Sequence, residues 1–181
     1  MVSLRDVLPA DSDCMHAWRN LPEVRKYMYS DHEISAEEHG NWFAGMMQDP
    51  SRKYWIVVSD GVDVGVTNLI QIDKRNSRCC WGFYLANTRG AGVGPAVQFL
   101  VIDYVFDELK LNKLCGEVFS WNERGLKLHE GFGFVREGLL RQHIWKDDQF
   151  QDIVTIGLLR EEWLRTRDQI AESLRARRVD V

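Results

Sequence analysis

The chain has 181 residues, of which 45% are apolar and 28% charged, and its formal net charge is −4. This length suits one domain with its own core, and the acidic balance argues against a dedicated nucleic-acid binder. No stretch approaches the roughly 18 apolar residues of a membrane span, and the first residues lack a signal-peptide pattern. We therefore expect a cytoplasmic protein with neither nucleic acid nor a membrane as its partner.

Hydrophobic periodicity and turn residues predict alternating strands and helices. In chain order we predict a strand at 2–7, a helix ending near residue 20, a helix at 35–48, strands at 54–59, 62–72 and 79–85, a helix at 96–111, a strand at 113–119, a short helix from 122 to a C-cap at Gly131, strands at 134–145 and 150–159, and a terminal helix from 161. No repeat or linker interrupts this order. We expect one domain over residues 1–160, with residues 161–181 as its C-terminal helix and tail.

Two local signals support the second helix and its packing. Ser35 followed by Glu38 is a capping box, which starts a helix at this point. The helix is predicted to present one apolar face, consisting of Trp42, Phe43, Met46 and Met47. This face could belong to the core or form the wall of a pocket.

The four cysteines, Cys14, Cys79, Cys80 and Cys115, show neither a C-x-x-C pair nor a histidine at zinc-finger spacing. We expect buried, reduced thiols and no metal site.

Residues 88–95 form a glycine-rich loop, Thr-Arg-Gly-Ala-Gly-Val-Gly-Pro, that runs into the helix predicted at 96–111. Glycine lets the backbone approach a ligand closely, and the free N–H groups of a first helical turn attract anions. Pro95 suits that turn because its missing N–H would have no helical partner. The loop indicates an anion cradle, with a turn that only caps the helix as the alternative.

Spacing excludes two familiar nucleotide-binding loops. A Walker loop ends in Gly-Lys-Ser or Gly-Lys-Thr, whereas this loop ends in Gly94-Pro95-Ala96. A dinucleotide fingerprint reads G-x-G-x-x-G and has an acidic residue about 20 positions later. Here the spacing is G-x-G-x-G, and residues 111–115 contain no carboxylate.

The order of elements, with residues 89–94 following a fourth strand, resembles the GNAT acetyltransferase superfamily over essentially the whole chain. The loop is similar to that superfamily's acetyl-CoA signature, R/Q-x-x-G-x-G/A. The resemblance implies an α/β (α+β) fold with a mixed, mostly antiparallel seven-stranded sheet, flanked by helices and splayed between strands 4 and 5. It also implies acetyl-CoA as the cosubstrate and no metal.

The same resemblance implies where acetyl-CoA binds. The loop amides would hold the pyrophosphate, the pantetheine arm would lie between strands 4 and 5, and an asparagine after strand 5 stands where these enzymes commonly have one. The donor-binding candidates are Phe83, Tyr84, Leu85, Arg89, Gly90, Ala91, Gly92, Val93, Gly94 and Asn122.

Two residues are candidates for proton transfer. Glu117 is the one charge within the apolar run 114–119, and a carboxylate is costly to bury unless it is paired or hydrated. Facing the splay, it could take the amine proton directly or through water; pairing with Arg141 is the alternative. His129 stands where the superfamily usually has a tyrosine acid, and its imidazole could donate to the leaving thiolate. A histidine that only packs on a short helix is the competing interpretation.

Several segments are similar to the acetyltransferases of the pseudaminic acid pathway. They are residues 18–20 with 23–25, residues 34–39 with 42–43, residues 81–85, and residues 137–138 before 142–143. This likeness implies direct acetyl transfer, in a ternary complex, to the 4-amino group of a UDP-linked 4-amino-4,6-dideoxy sugar, on the route to the nonulosonic sugar of flagellin. The acceptor candidates are Met28, Tyr29, Trp42 and Trp81 against the sugar, and Arg19, Arg25 or His39 toward the diphosphate.

Other functions stay open from the sequence. Acetyltransferases of protein N-termini share the same outline, so a protein N-terminus or another small amine is an alternative acceptor. A weakly catalytic acyl-CoA-binding module is a further alternative, and both a monomer and a homo-oligomer are compatible with the chain.

Overall fold

The computed structural model describes residues 1–87 and 92–179. Its strands are β1 (Val2–Asp6), β2 (Lys53–Ser59), β3 (Val62–Asp73), β4 (Arg78–Leu85), β5 (Lys113–Phe119), β6 (Val135–Lys146) and β7 (Gln149–Leu159). They form one seven-stranded sheet in the order β1-β2-β3-β4-β5-β7-β6. Neighbouring strands are antiparallel except β4 and β5, which are parallel. The predicted mixed sheet is confirmed.

Helices cover both faces of this sheet. They are α1 (Ser12–Asn20), α2 (Pro22–Arg25), α3 (Ala36–Gln48), α4 (Val93–Asp103), α5 (Glu123–Glu130) and α6 (Arg160–Ala176). Among the described residues, no helix combines the length and apolar character that crossing a membrane requires.

Two local predictions differ from the structure. The helix predicted at 96–111 begins earlier and changes to a π-helical turn at Tyr104–Glu108, where the Leu109 amide donates to the Tyr104 carbonyl at 3.0 Å. The connection after α1 contains the one-turn helix α2, because Pro22 is suited to the first helical position. The predicted C-cap of α5 at Gly131 is confirmed; this glycine has a right-handed conformation, and the positive φ of 89° falls on Gly133.

Each face of the sheet carries its own core. On β2, Trp55 and Val57 join the larger core, to which α4 and α6 contribute, whereas Ile56 joins the smaller core under α1 and α3. Alternate residues of a strand point to opposite faces, which explains this division. The largest fully buried side chain is Trp163 of α6, in the larger core.

The predicted apolar face of α3 is only half correct. Phe43 and Met46 are buried together with His39, but Trp42 is 36% exposed and Met47 is 44% exposed. Residues 39, 43 and 46 follow the three- and four-residue spacing of one helical face, so they meet the sheet while their neighbours flank it. Trp42 is thereby free to line a cavity.

β4 and β5 pair over three rungs only. The last rung joins Cys80 to Cys115, whereas β4 continues to pair with β3 as far as Leu85 opposite Gly65. A Cβ on Gly65 would lie 2.2 Å from the Tyr84 carbonyl oxygen, so glycine permits this close approach. Residues 81–85 and 116–119 therefore bound a gap in the sheet, the β4–β5 opening, and the predicted splay is confirmed.

α6 connects the C-terminal part of the chain to α4. The Trp163 indole N–H and the Arg167 guanidinium both donate to Oδ1 of Asp103, at 2.9 Å and 2.8 Å. At the other end of α4, a Cβ on Gly92 would lie 2.6 Å from Cγ2 of Val179. Both ends of α4 are thus in contact with the segment that follows the sheet.

Candidate active site

A cavity of about 540 Å³ lies on the face of the sheet that carries α1 and α3. Six of the predicted acceptor residues line it: Arg19, Met28, Tyr29, His39, Trp42 and Trp81. Arg25 is outside the lining that the described residues form, and its carbonyl accepts a hydrogen bond from Nζ of Lys146 at 3.3 Å. The sequence thus located most of this wall.

The lining also includes residues that sequence reasoning missed or placed elsewhere. Glu38, Asn68, Gln71 and Cys80 were not among the candidates, and Tyr84, predicted beside the donor, also borders this cavity. For Asn68 and Gln71, the available signal was a polar side chain within the long apolar strand β3.

The segment between α2 and α3 forms the outer wall of the cavity, and several contacts connect it to the rest of the protein. Asn20 makes two hydrogen bonds to the backbone of Ile34: its Nδ2 donates to the Ile34 carbonyl and its Oδ1 accepts from the Ile34 amide, both at 2.9 Å. The Tyr27 ring packs 5.6 Å from that of Trp121. These contacts fix a wall that has little regular structure of its own.

Glu117 reaches the cavity from β5 with its side chain exposed, and the Tyr29 hydroxyl donates a hydrogen bond to its carboxylate. The Tyr29 ring meets Phe119 edge-on at 5.6 Å. Burial raises the pKa of Tyr29, and the bond to Glu117 raises it further, so the phenol stays protonated as the donor. The alternative pairing of Glu117 with Arg141 is not formed among the described side chains.

Arg19 places a half-buried positive charge in the cavity. Its Nη2 donates to Oγ of Ser30 at 2.7 Å, while Nη1 is buried and has no partner among the described residues. Burial lowers the pKa of Arg19, although a guanidinium remains charged at neutral pH. An unpaired guanidinium N–H in a cavity is suited to a phosphate or carboxylate oxygen.

His39 was predicted to lie toward a diphosphate, but its surroundings do not favour a positively charged imidazole. Its side chain is buried, and its ring lies 4.9 Å from that of His16 and 5.3 Å from that of Trp42. Burial, together with the neighbouring His16, lowers the pKa of His39. It would therefore meet a ligand as a neutral ring at neutral pH.

His129 lies on the opposite face of the sheet from Glu117. Its ring packs 5.3 Å from that of Trp81. On β4, Trp81 and Cys80 are consecutive and therefore point to opposite faces of the sheet. Cys80 pairs with Cys115, which points to the same face as Glu117, two residues further along β5. Burial lowers the pKa of His129 to about 4, so the imidazole is neutral at neutral pH. The two candidates for proton transfer thus approach the β4–β5 opening from its two sides.

Polar atoms without partners lie beside this opening. Nε1 of Trp81 and Nδ1 of His129 are buried, and neither has a hydrogen-bond partner within the described part of the chain. A Cβ on Gly116, across the opening, would lie 3.6 Å from Nε1 of Trp81. Buried polar groups are normally satisfied, so these atoms fit a polar ligand in the opening.

The N-terminus of α4 lies next to the same opening. Gly92 has a φ of 108° and precedes the helix, and the first amide to donate to its carbonyl is that of Ala96, at 3.0 Å. The amides of Val93 and Gly94 precede Ala96 in the first turn of the helix, where amides have no acceptor within the helix. A Cβ on Gly94 would lie 3.7 Å from the Phe83 ring, so the turn faces the β4 side of the opening.

The other predicted donor-binding residues differ in where they lie. Arg89, Gly90 and Ala91 lie outside the described residues. Leu85 is the last residue of β4 and borders the opening. Asn122 caps α5, where its Oδ1 accepts from the Gly125 amide at 3.0 Å. Its contact with a cosubstrate remains a prediction.

An opening between parallel strands, lined by unsatisfied donors and adjoining a helix N-terminus, fits the thioester arm and phosphates of acetyl-CoA. Residues 2–135 match the model of the acetyltransferase (GNAT) domain. The chain belongs to the GNAT acetyltransferase family. It is an acetyl-CoA-dependent N-acetyltransferase, and the family resemblance seen in the sequence is confirmed.

Two relatives of this GNAT enzyme carry different descriptions. It is 32% identical over 133 residues to acetyltransferase PseH of Campylobacter jejuni, covering 72% of this chain and 82% of that protein. It is 30% identical over 105 residues to the putative ribosomal N-acetyltransferase YdaF of Bacillus subtilis, covering 58% of this chain and 57% of that protein.

A solved structure confirms the fold of the enzyme. Spermidine N-acetyltransferase from Vibrio cholerae, in complex with CoA and spermine, superimposes with a TM-score of 0.83 at 23% identity, over 90% of this chain and 98% of that one. This likeness establishes the architecture alone.

Proposed function

We propose that this GNAT enzyme acetylates the amino group of a nucleotide-linked amino sugar, the 4-amino group of a UDP-linked 4-amino-4,6-dideoxy sugar of the pseudaminic acid pathway. The observation that carries this proposal is Arg19, which lines a cavity walled by aromatic side chains such as Trp42 and Tyr29 and whose buried Nη1 has no partner among the described residues. A diphosphate suits the guanidinium, and a sugar ring and uracil suit the aromatic wall. The relationship to acetyltransferase PseH supports the same acceptor.

The cavity carries charges of both signs. Two carboxylates line it, those of Glu38 and Glu117, and the Tyr29 hydroxyl already donates to the second. The positive charge of Arg19 would repel a polycation bound beside it in a partly desolvated cavity. The proposal of an anionic acceptor therefore rests on Arg19 and its aromatic surroundings, not on the net charge of the lining.

Acetyl-CoA, when bound, supplies an acetyl group activated as a thioester. On the acceptor side, Glu117 accepts the proton of the attacking amine, and Tyr29 holds the carboxylate in place. On the other side of the opening, His129 offers an imidazole N–H toward the departing thiolate. Trp81 contributes a second buried N–H beside it. A base and an acid on the two sides of the opening suit a direct transfer, in which the amine gives up its proton on one side and the departing thiolate receives a proton on the other.

Acceptor competition tests the proposal. The purified enzyme is incubated with acetyl-CoA and, separately, with the UDP-4-amino sugar, with a peptide carrying a free N-terminus, and with spermidine, while free thiol release is followed. We expect kcat/KM for the sugar to exceed the other two at least tenfold. Turnover of the peptide or of spermidine alone would refute the sugar assignment. Tight CoA binding without thiol release from any amine would favour the acyl-CoA-binding module.

Arg19→Met is expected to raise the KM for the UDP-sugar tenfold or more and to leave the KM for acetyl-CoA unchanged. The variant loses a charge-assisted hydrogen bond to the acceptor, worth about 1.5–3 kcal/mol. Steady-state kinetics with each substrate varied in turn measures both constants.

Lys26→Met is the matched control for this prediction. Lys26 is an exposed cation of the same wall, with its Nζ 5.3 Å from the centre of the Tyr27 ring. Its removal should change the KM for the sugar less than about twofold, because exposed charges are strongly screened. An unchanged KM in Arg19→Met would remove Arg19 from the acceptor site.

A further inference from the structure

Two thiols face each other on the last rung of the β4–β5 ladder. Cys80 is the registered partner of Cys115, and both are free and half-buried. Residues in register on neighbouring parallel strands point to the same face, with their Cα atoms about 4.8 Å apart. A disulfide spans Cα separations of about 4.4–6.8 Å. The rung therefore has a geometry that a disulfide can bridge.

The pair is also accessible and polarised. Cys80 lines the acceptor cavity, and its thiol donates to Oε1 of Gln71 at 3.5 Å. The neighbouring Cys80 thiol lowers the pKa of the Cys115 thiol, assisted by the positive charges of Lys113 and Arg78 and opposed by burial and by Glu137. Cys115 is consequently the nucleophile of the pair.

The other two cysteines contrast with this pair. Cys79 is 1% exposed, belongs to the larger core, and has a pKa raised by burial to about 12. Cys14 is half-buried with its Sγ 3.1 Å from the Asp11 carbonyl oxygen, and burial raises its pKa. The sequence expectation of buried thiols holds fully for Cys79 only, because the remaining three are half-buried.

We propose that Cys80 and Cys115 form a dithiol modification site beside the acceptor cavity, which Cys80 lines, and that this pair reacts with low-molecular-weight disulfides and with trivalent arsenicals. With a disulfide, the Cys115 thiolate attacks one sulfur and expels a small thiolate. The Cys80 thiol transfers its proton to that thiolate and then attacks the Cys115 sulfur, expelling the second. The protein pair loses two electrons, and one small disulfide becomes two thiols. With an arsenous oxide, both thiols condense on arsenic and water leaves.

Peptide mapping after treatment with oxidised glutathione tests the first reaction. Trypsin places Cys79 and Cys80 in the peptide 79–89 and Cys115 in the peptide 114–124. We expect these two peptides to be joined in the wild-type protein and in Cys79→Ala, and separate in Cys80→Ser. Cys79→Ala is the matched control because it removes the neighbouring thiol from the opposite face of the same strand. Linkage through Cys79, or a glutathione adduct that persists on Cys115 without a cross-link, would overturn the proposal.

Phenylarsine oxide tests the site without an oxidant. We expect one arsenic per chain to be retained through gel filtration by the wild-type protein and by Cys14→Ser, and none by Cys80→Ser or Cys115→Ser. Thermal unfolding of each variant shows that it is folded. Equal retention by the wild type and by Cys80→Ser would contradict the assignment.

Discussion

Glu117→Gln is expected to lower kcat for acetyl transfer about 100-fold or more, while the KM for acetyl-CoA stays within about twofold. General base catalysis typically contributes a factor of about 100 to 10,000, and the amide cannot accept the amine proton. Glutamine keeps the shape of the side chain and can still accept the Tyr29 hydrogen bond, so the wall of the cavity should stay in place. Single-turnover measurement of thiol release with saturating acceptor reports the chemical step directly.

Glu130→Gln is the control for this prediction. Glu130 pairs with Arg136 at 2.7 Å, with side-chain exposures of 40% and 55%, and it is absent from the cavity lining. A surface ion pair of this kind contributes about 0–1 kcal/mol, so kcat should not change measurably. If Glu117→Gln also turned over at the wild-type rate, the base would have to be water or another group.

Acidification is expected to destabilise the wild-type protein more than His129→Phe, by about 2 kcal/mol between pH 7 and pH 4.5. Burial lowers the pKa of His129 from 6.5 to about 4, so between these values the unfolded chain binds a proton that the folded protein does not. The stabilisation is complete above the unfolded pKa and is lost as the pH falls toward the folded one. Phenylalanine has no such proton, and it suits the aromatic contacts with Trp81 and Phe134.

Urea denaturation at the two pH values measures this difference. His143→Phe serves as the control, because His143 is exposed on β6 and its replacement should leave the pH dependence of the unfolding free energy as in the wild type. Parallel pH dependences for the wild type and His129→Phe would show that the folded protein accepts the His129 proton readily.

The sequence signals on which the donor-side prediction and the prediction of Glu117 rest are local. The alternating glycines up to Gly94, followed by a proline, predict a helix N-terminus for anions, and the positive φ at Gly92 agrees with this interpretation. Glu117 was recognisable as the one charge in an apolar strand, and the structure places it at the cavity.

The acceptor side depends on contacts between distant segments, which periodicity does not encode. The hydrogen bond from Tyr29 to Glu117 joins a wall segment to a central strand, and no local pattern predicts that pairing. The sequence left open whether the apolar face of α3 belongs to the core or to a pocket wall for a related reason: helical spacing shows that a face is apolar but does not show which part of it meets the sheet. Which side of the opening His129 occupies likewise required the strand register.

The contact between Val179 and Gly92 bears on the thermodynamics of donor binding. Val179 is 8% exposed and belongs to the larger core, and it is far along the chain from the loop whose glycine it contacts. The N-terminus of α4 is therefore not an autonomous local unit, since Gly92 packs against a residue that lies far along the chain. A ligand that selects this geometry binds the native state alone. Its binding free energy is thus coupled to the cooperative unfolding of the entire domain, and saturation with CoA is a means of global stabilisation.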